Sequence, residues 1–290
     1  MTSVLPFVIS GLVIGSLYAL SGVGMLVLYR TTGVLNFAYG ALGAAAGMVA
    51  WQLVQLLLQP PVALLLGVGM AAALSLLFGV VAGPSLARRS ELGKATATLG
   101  LALAVLGVLY AVWNDKARTL RLATDGVGLN VSDTRVTGTQ VLSLALVAAV
   151  VAATSLFLRH SSMGTAMRAL TSDRELAAML GVRVRRVELM AWVTSGALAG
   201  VSGLLLAAQT QLEPGFLTFL VIPALATVVV GRFVSLTGTL VGGLLLGVGQ
   251  ALASYWPPTS SLASATPFVL AVAVILYLQR RKTVTIEVAR

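Results

Sequence analysis

The chain has 290 residues, of which 58% are hydrophobic and 10% are charged, whereas soluble domains have about 25% charged residues. This composition excludes an ordinary soluble fold and predicts an all-α polytopic membrane protein. The net charge of +10 would suit a nucleic-acid-binding protein, but the basic residues stand in short loops between apolar runs, which predicts membrane orientation and no nucleic-acid partner. The chain has no cysteine, which excludes disulfides, thiol catalysis and cysteine-ligated metals.

Apolar runs along the chain predict a single transmembrane domain over residues 1–290, with about 8–9 membrane-embedded helical segments. The N-terminal MTSVLPFVIS has no basic region before its apolar run, so it predicts a retained first span rather than a cleaved signal peptide. Arg30-Thr31-Thr32-Gly33 predicts a tight turn after that span, and the prolines of 59–61 break the next pair. The runs lie near residues 4–29, 34–58, 62–83, 95–113, 138–158, 187–208, 218–231, 237–254 and 264–279.

Segment 218–231 is short for a membrane span. Its 14 residues give roughly 21 Å of helix, against a hydrocarbon core of about 30 Å. Together with 237–254 it predicts either a re-entrant hairpin or a pair of tilted spans. Both alternatives begin and end on the same side, so the orientation of the other segments does not depend on the choice.

The distribution of basic residues predicts the orientation. If loop 159–186 and the C-terminus are cytoplasmic, only four of the 19 lysine and arginine residues lie outside: Lys116, Arg118, Arg121 and Arg135. The N-terminus is then outside, in a multi-pass protein of the cell inner membrane. Residues 114–137 form an extracytoplasmic loop, which either meets a binding protein or is an unstructured connection.

The spans carry no acidic residue deep inside them, which argues against proton or sodium coupling. The sequence also lacks a Gly-x-x-x-x-Gly-Lys-Ser/Thr motif, so ATP binding through a P-loop of its own is excluded and active transport would draw its energy from another subunit. An intramembrane enzyme needs a His/Asp/Glu or Ser–Lys constellation inside the spans, and none is seen. No catalytic residue, metal site or cofactor is predicted.

Loop 159–186 contains the signals of a short helix. Ser172 as N-cap with Glu175 at the third position predicts a capping box, and Gly181 suits the position after the helix, so a helix is predicted from Asp173 to Leu180. Leu176, Ala177, Met179 and Leu180 give this helix an apolar surface. Two interpretations stay open: the helix docks a soluble partner, or it lies on the bundle or the lipid headgroups while its arginines set orientation.

Three stretches resemble the permease subunit of the branched-chain amino-acid ABC transporter family, of the shorter permease type. They are GLVIGSLYALSGVGMLVLYRTTGVLNFAYGALGAAAG at 11–47, MGTAMRALTSDRELAAMLGVRVRRVELMAWVTSGALAGVSGLLLA at 163–207 and IPALATVVVGRFVSLTGTLVGGLLLGV at 222–248. They occur in the family's order, and the match extends over most of the chain. Two motifs depart from the family: Tyr39 stands where His is common, and Gly231-Arg232-Phe233-Val234-Ser235 replaces Gly-Gly-Phe-Gly-Ser.

The resemblance implies a subunit without its own ATPase site that carries branched-chain or related amino acids across the inner membrane by alternating access. It implies two cytoplasmic ABC ATPase subunits, a second permease subunit and an extracytoplasmic solute-binding protein as partners, besides membrane lipid. The second stretch would be the cytoplasmic coupling loop that seats in a groove of the ATPase. Its expected coupling residues are Arg168, Ser172, Asp173, Glu175, Ala177, Leu180 and Gly181.

Neutral polar residues in or near the spans are candidates for the solute path, or else make hydrogen bonds between helices. They are Asn36, Tyr39, Thr96, Thr98, Gln209 and Gln250. The alternative function is a self-sufficient secondary carrier or channel for a small neutral solute, which the missing midplane carboxylate disfavours.

Overall fold

The computed structural model describes residues 5–87, 89–114, 116–120, 123–126, 128–131, 134–255 and 265–280, and the basic residues Arg88, Arg121, Arg281, Lys282 and Arg290 lie outside these ranges. The described part is almost entirely helical. Its helices are α1 (Leu5–Thr32), α2 (Tyr39–Gln55), α3 (Pro60–Leu86), α4 (Glu91–Trp113), α5 (Gly138–His160), α6 (Ser162–Ser172), α7 (Arg174–Met179), α8 (Val184–Gln209), α9 (Pro214–Phe219), α10 (Val221–Val230), α11 (Leu236–Tyr255) and α12 (Thr266–Arg280).

Among the described residues, six helices are long and apolar enough to cross a membrane: α1, α3, α4, α5, α8 and α11. Together with the shorter apolar helices they confirm the predicted all-α polytopic membrane protein, while the number of spans stays a prediction. The predicted turn at Arg30–Gly33 is wrong at its start, because α1 continues to Thr32 and the connection runs from Gly33, whose φ is +67°, to Ala38. The break at the prolines is confirmed, since Pro60 is the first residue of α3.

Helix α1 forms the centre of the bundle. In its most apolar window 89% of the residues are buried, against 17–22% in α3, α4 and α5, which present their apolar side chains outward. Helix α1 packs against α8, α10 and α11, and α8 packs against α2 and α3. A helix that is apolar all round is expected to be buried in a bundle of this kind.

Glycines set the closest helix contacts. A Cβ on Gly247 of α11 would lie 2.2 Å from the backbone nitrogen of Gly15 in α1, and one on Gly203 of α8 would lie 2.3 Å from Cα of Gly43 in α2. Real Cβ contacts are never this short, so these helix pairs cross backbone to backbone. Small residues that permit such contacts are typical of membrane helix interfaces.

The short apolar segment is broken into two helices. Helix α9 ends at Phe219 and α10 begins at Val221, with Pro223 in its first turn, and α10 returns through the turn 231–235 into α11. Ten residues of α10 reach only about 15 Å along the axis. Whether the α10–α11 pair is re-entrant or crosses twice stays a prediction.

The loop between α4 and α5 is ordered where the structure describes it. A 3₁₀ turn at Ala123–Gly126 precedes a two-stranded antiparallel hairpin of β1 (Gly128–Val131) and β2 (Thr134–Thr137). Arg118 and Leu212 exchange backbone hydrogen bonds of 3.1 and 2.9 Å, which ties the loop to the α8–α9 connection. The alternative of an unstructured connection is therefore wrong for these residues.

Candidate coupling unit and solute path

Loop 159–186 contains two helices where the sequence predicted one. Helix α6 directly follows α5, because Ser161 ends one and begins the other: its hydroxyl donates to the carbonyl of Phe157 (2.6 Å) and accepts from the N–H of Gly164 (2.8 Å). Gly164 permits the sharp corner, since a Cβ there would lie 2.5 Å from the carbonyl oxygens of Phe157 and Leu158. We call α6 and α7 together, residues 162–179, the coupling unit.

The predicted N-cap of the short helix is wrong by one residue. Asp173, not Ser172, caps α7, and its Oδ1 accepts from the N–H groups of Glu175 and Leu176, both at 2.9 Å. Ser172 is the last residue of α6, where its hydroxyl donates to the carbonyl of Arg168 (3.3 Å). Glu175 therefore contributes its backbone N–H to the cap rather than a side chain to a capping box.

Gly181 follows the end of α7 as the sequence predicted, although α7 ends at Met179, one residue before the predicted Leu180. Gly181 has φ +86°, its N–H donates to Ala178 and the N–H of Val182 donates to Ala177, both at 3.0 Å. These two bonds make a Schellman motif, which satisfies the last carbonyls of the helix. Both ends of the six-residue helix are therefore fixed by hydrogen bonds.

The coupling unit shares a small core with the bundle. Met167 and Leu170 of α6 and Ala177 of α7 are buried against Leu28 at the end of α1 and Trp192 of α8. Ala177 is only 3% exposed, so the expectation that it meets a partner is wrong: it faces the protein itself. The unit is thus packed directly onto two helices at the centre of the bundle.

Polar contacts reinforce this packing. The hydroxyl of Thr171 donates to the carbonyl of Arg30 at the end of α1 (2.6 Å), and Arg174 forms an ion pair with Glu188 of α8. Arg168, an expected coupling residue, donates to the carbonyls of Leu158 and Arg159 and so braces the α5–α6 corner. Polar contacts therefore join the coupling unit to α1, α5 and α8.

Leu176 and Met179 of α7 and the following residue, Leu180, form an exposed apolar surface, which we call the apolar tip of α7. Met179 is 78% and Leu180 76% exposed, and Leu176 is half exposed. Exposed arginines follow directly in the sequence: Arg183, Arg185 and Arg186. This arrangement suits a hydrophobic groove with an acidic rim on a partner protein.

The polar residues expected along the solute path do not lie together. Near the α1–α2 connection, Asn36 and Thr98 are fully buried, and the Thr98 hydroxyl donates to the carbonyl of Leu35 (3.0 Å) and accepts from the N–H of Phe37 (3.3 Å). Thr98 therefore joins α4 to this connection. Thr96, about half a turn away, is exposed, and its hydroxyl donates to the carbonyl of Leu92 in α4 (2.8 Å). It therefore does not join the group.

Asn36 and Tyr39 keep unpartnered polar atoms. Nδ2 of Asn36, the hydroxyl of Tyr39 and the hydroxyl of Ser195 are buried without a hydrogen-bond partner among the described residues. Together with Ser21 and Ser202, Tyr39 lines a small cavity between α1, α2 and α8. Its volume of about 10 Å³ is close to that needed for one water molecule. The serines of α8 were missed by sequence reasoning, although their spacing of seven residues places them on one helix face.

The glutamines lie elsewhere. Nε2 of Gln209 donates to the Ser143 hydroxyl (3.2 Å), which joins α8 to α5. Oε1 of Gln250 accepts from the hydroxyl of Tyr18 (2.8 Å), and this pair lines a cavity of about 260 Å³ between α1, α9, α10, α11 and α12. The other lining residues are apolar: Phe216, Phe219, Leu220, Pro223 and Phe268. We call this the aromatic cavity.

The turn between α10 and α11 is unusual in its backbone. Arg232 and Phe233 both lie in the left-handed region, with φ of +52° and +58°. Non-glycine residues adopt this region at a cost of roughly 1 kcal/mol each, and Arg232 stands where the resembling family commonly has glycine. Contacts with α1 hold the turn: the Phe233 ring lies 4.9 Å from that of Tyr29, and Arg30 donates to the carbonyl of Val234 (3.1 Å).

Comparison with known proteins identifies the family. The family described as "Branched-chain amino acid transport system / permease component" matches residues 7–278. The chain belongs to this permease family. A probable branched-chain amino acid transport permease, LivH, of Methanocaldococcus jannaschii is 28% identical to it over 84% of the chain and 79% of the relative.

Bacterial members of the permease family are similarly distant. The high-affinity branched-chain amino acid permease LivH of Escherichia coli is 26% identical over 92% of this chain and 91% of its own, and BraD of Pseudomonas aeruginosa is 26% identical over 84% of each. Among solved structures, PsaBC from Streptococcus pneumoniae in complex with Fab matches 94% of this chain and 89% of the compared chain at 16% identity, with a TM-score of 0.49. The sequence-based resemblance to a permease of this family is confirmed.

Proposed function

We propose that this chain is the transport subunit of an ATP-driven importer for branched-chain or related amino acids. It would work with two cytoplasmic ABC ATPases, a second permease subunit and an extracytoplasmic solute-binding protein. The single observation that carries the proposal is the apolar tip of α7 on a coupling unit packed against α1 and α8. A short helix that is capped at both ends and braced on the bundle suits a lever that transmits ATPase motion to the spans.

Disulfide cross-linking between the apolar tip and the ATPase tests the proposal. The chain contains no cysteine, so Leu180→Cys introduces its only thiol. With a cysteine in the rim of the ATPase groove, we expect a disulfide cross-link in the assembled complex. The matched control is Leu92→Cys, which is 81% exposed at the start of α4 but outside the coupling unit. Equal cross-linking at 92 and 180, or none at 180, contradicts docking through the tip.

The proposal carries an orientation. The coupling unit would lie on the ATPase side, and the excess of arginine in loop 159–186 supports this side. The N-terminus would then be outside and the C-terminus in the cytoplasm. An impermeant thiol reagent added to intact cells should label Gly126→Cys in the outer loop and leave Arg183→Cys unlabelled. Both positions are exposed in the structure. The reverse labelling pattern would overturn the orientation.

We propose the aromatic cavity as part of the solute path. Its Tyr18–Gln250 pair supplies a polar spot inside an apolar wall, and its volume of about 260 Å³ is near the lower end of small-molecule sites, about 300 Å³. Such a lining suits a branched aliphatic side chain. No charged side chain is among its described lining residues, in keeping with a neutral path.

Gln250→Leu should reduce the uptake rate about tenfold, because one hydrogen bond of about 1–1.5 kcal/mol is lost from the path. The matched control is Gln52→Leu. Oε1 of Gln52 likewise accepts from an aromatic donor, Nε1 of Trp113 at 3.0 Å, but outside the aromatic cavity. Radiolabelled leucine uptake at equal expression measures both variants. Equal losses in the two would make Gln250 a packing residue.

A further inference from the structure

A second cavity, of about 290 Å³, lies where the C-terminal ends of α1 and α5 meet α6 and the start of α11. Three arginines line it: Arg30 from α1, Arg159 from α5 and Arg168 from α6. The remaining wall combines hydroxyl groups with apolar side chains such as Leu158 and Leu236. We call it the basic cavity; it is separate from the aromatic cavity, with which it shares no lining residue.

The positive charge of the basic cavity has no acidic counterpart among the described residues that line it. The ion pairs in the described ranges join Lys94 to Glu91 and Arg174 to Glu188, away from this wall. Arg30 and Arg168 donate to backbone carbonyls, which orient their guanidinium groups without neutralising them. Three like charges that share one cavity repel each other, so a bound anion would stabilise the arrangement.

The start of α11 adds anion-binding character. Ser235 lines the basic cavity and caps this 20-residue helix, its hydroxyl accepting from the N–H of Gly238 at 3.0 Å. The first N–H groups of a helix lack intrahelical partners, and its dipole favours negative charge there. Cationic side chains and a helix N-terminus thus converge on one space.

The apolar part of the cavity wall favours a phospholipid over a free phosphate ion. A free phosphate would use only the arginines and hydroxyls, whereas a phospholipid also presents an acyl chain. The basic cavity lies at the ends of α1, α5 and α11, three helices long and apolar enough to cross a membrane. The ends of such helices are expected at the depth where headgroups meet acyl chains. Basic pockets between membrane helices on the cytoplasmic side are typical headgroup sites.

We propose that the basic cavity binds the phosphate headgroup of an anionic phospholipid, with its acyl chain against Leu158 and Leu236. The phosphodiester would bridge Arg168 of the coupling unit to Arg30 of α1 and the start of α11. This lipid would therefore stabilise the attachment of the coupling unit to the bundle. Binding does not depend on which solute is transported, so the proposal stands or falls separately from the proposed function.

Native mass spectrometry of the purified full chain with phosphatidylglycerol or phosphatidylcholine tests this directly. We expect preferential retention of phosphatidylglycerol. In Arg159→Gln/Arg168→Gln the retention should be about 25-fold weaker, because each charge near a headgroup contributes about fivefold. The matched control is Arg185→Gln/Arg186→Gln, which removes two exposed arginines of the same region outside the basic cavity. It should retain the lipid as the unchanged chain does.

Two further measurements keep the outcome decisive. Arg168 also braces the α5–α6 corner, so the single variant Arg159→Gln is measured as well. It should retain phosphatidylglycerol about fivefold more weakly and keep the circular dichroism spectrum of the unchanged chain. Inorganic phosphate at millimolar concentration should fail to displace the lipid. Equal retention by the cavity variants and the control, no preference for phosphatidylglycerol, or displacement by phosphate alone would each overturn the lipid site.

Discussion

Leu180→Asp and Met179→Asp are each expected to abolish ATP-driven uptake while the permease still inserts into the membrane. Both side chains lie on the apolar tip of α7, more than three-quarters exposed, so the substitutions leave the core of the coupling unit intact. In the complex, the new carboxylate would be buried without a partner in an apolar groove, which costs several kcal/mol. A loss of this size weakens ATPase binding by 100-fold or more. Co-purification of the ATPase and leucine uptake measure the two effects.

Leu92→Asp provides the matched control for the tip variants. Leu92 is 81% exposed, and Asp in the first turn of α4 is compatible with the helix dipole. This variant should keep both the ATPase and the uptake. Ala177→Asp should fail differently, because Ala177 is buried in the core of the coupling unit and a charge there disrupts the chain itself. Normal ATPase binding by Leu180→Asp and Met179→Asp would leave α7 as a membrane-surface element.

Gly203→Ala is expected to lower the free energy of unfolding by about 3 kcal/mol, the upper end of the usual cost of overpacking. The added Cβ would lie 2.3 Å from Cα and 2.5 Å from the carbonyl oxygen of Gly43, so the backbones of α2 and α8 must separate. For a chain of this size, this loss corresponds to roughly 10 °C in the midpoint of thermal unfolding. Near-ultraviolet circular dichroism in detergent follows the transition.

Gly69→Ala is the control for backbone contact. Gly69 also lies inside a long apolar helix, α3, but a Cβ there meets nothing within 4 Å. Its replacement should leave the midpoint unchanged or raise it slightly, because alanine favours helix over glycine. If Gly203→Ala and Gly69→Ala unfold at the same temperature, the α2–α8 crossing is not held by direct backbone contact.

The sequence predicted the cap at the end of α7 correctly but not the cap at its beginning. Gly181 is the one residue there suited to φ +86°, whereas Ser172 and Asp173 are adjacent and both are good N-caps. Which one caps depends on where α6 ends, and sequence reasoning missed α6. The spacing of Gly164, Met167 and Leu170, now seen buried on one face, was the available signal for an amphipathic helix.

The sequence predicted where helices lie better than it predicted which side chains on them are buried. Leu176, Ala177 and Leu180 are all apolar, and only the packing of α7 against Leu28 and Trp192 decides that Ala177 points inward. Thr96 and Thr98 look alike in sequence, yet one is exposed and the other is buried against the α1–α2 connection. The partner of Gln250 is 232 residues away in the chain, which local patterns cannot reveal.

The central claim is that this chain is a permease subunit driven by ATP. A measurement of the energy source of transport tests it most directly. Proteoliposomes containing the chain with its second permease, ATPases and binding protein are loaded with ATP or with a non-hydrolysable analogue, and leucine uptake is measured with and without proton and sodium gradients. We predict uptake only with hydrolysable ATP, independent of the gradients, and none when the ATPases are omitted. Gradient-driven leucine uptake by the chain alone would contradict the account and identify a secondary carrier.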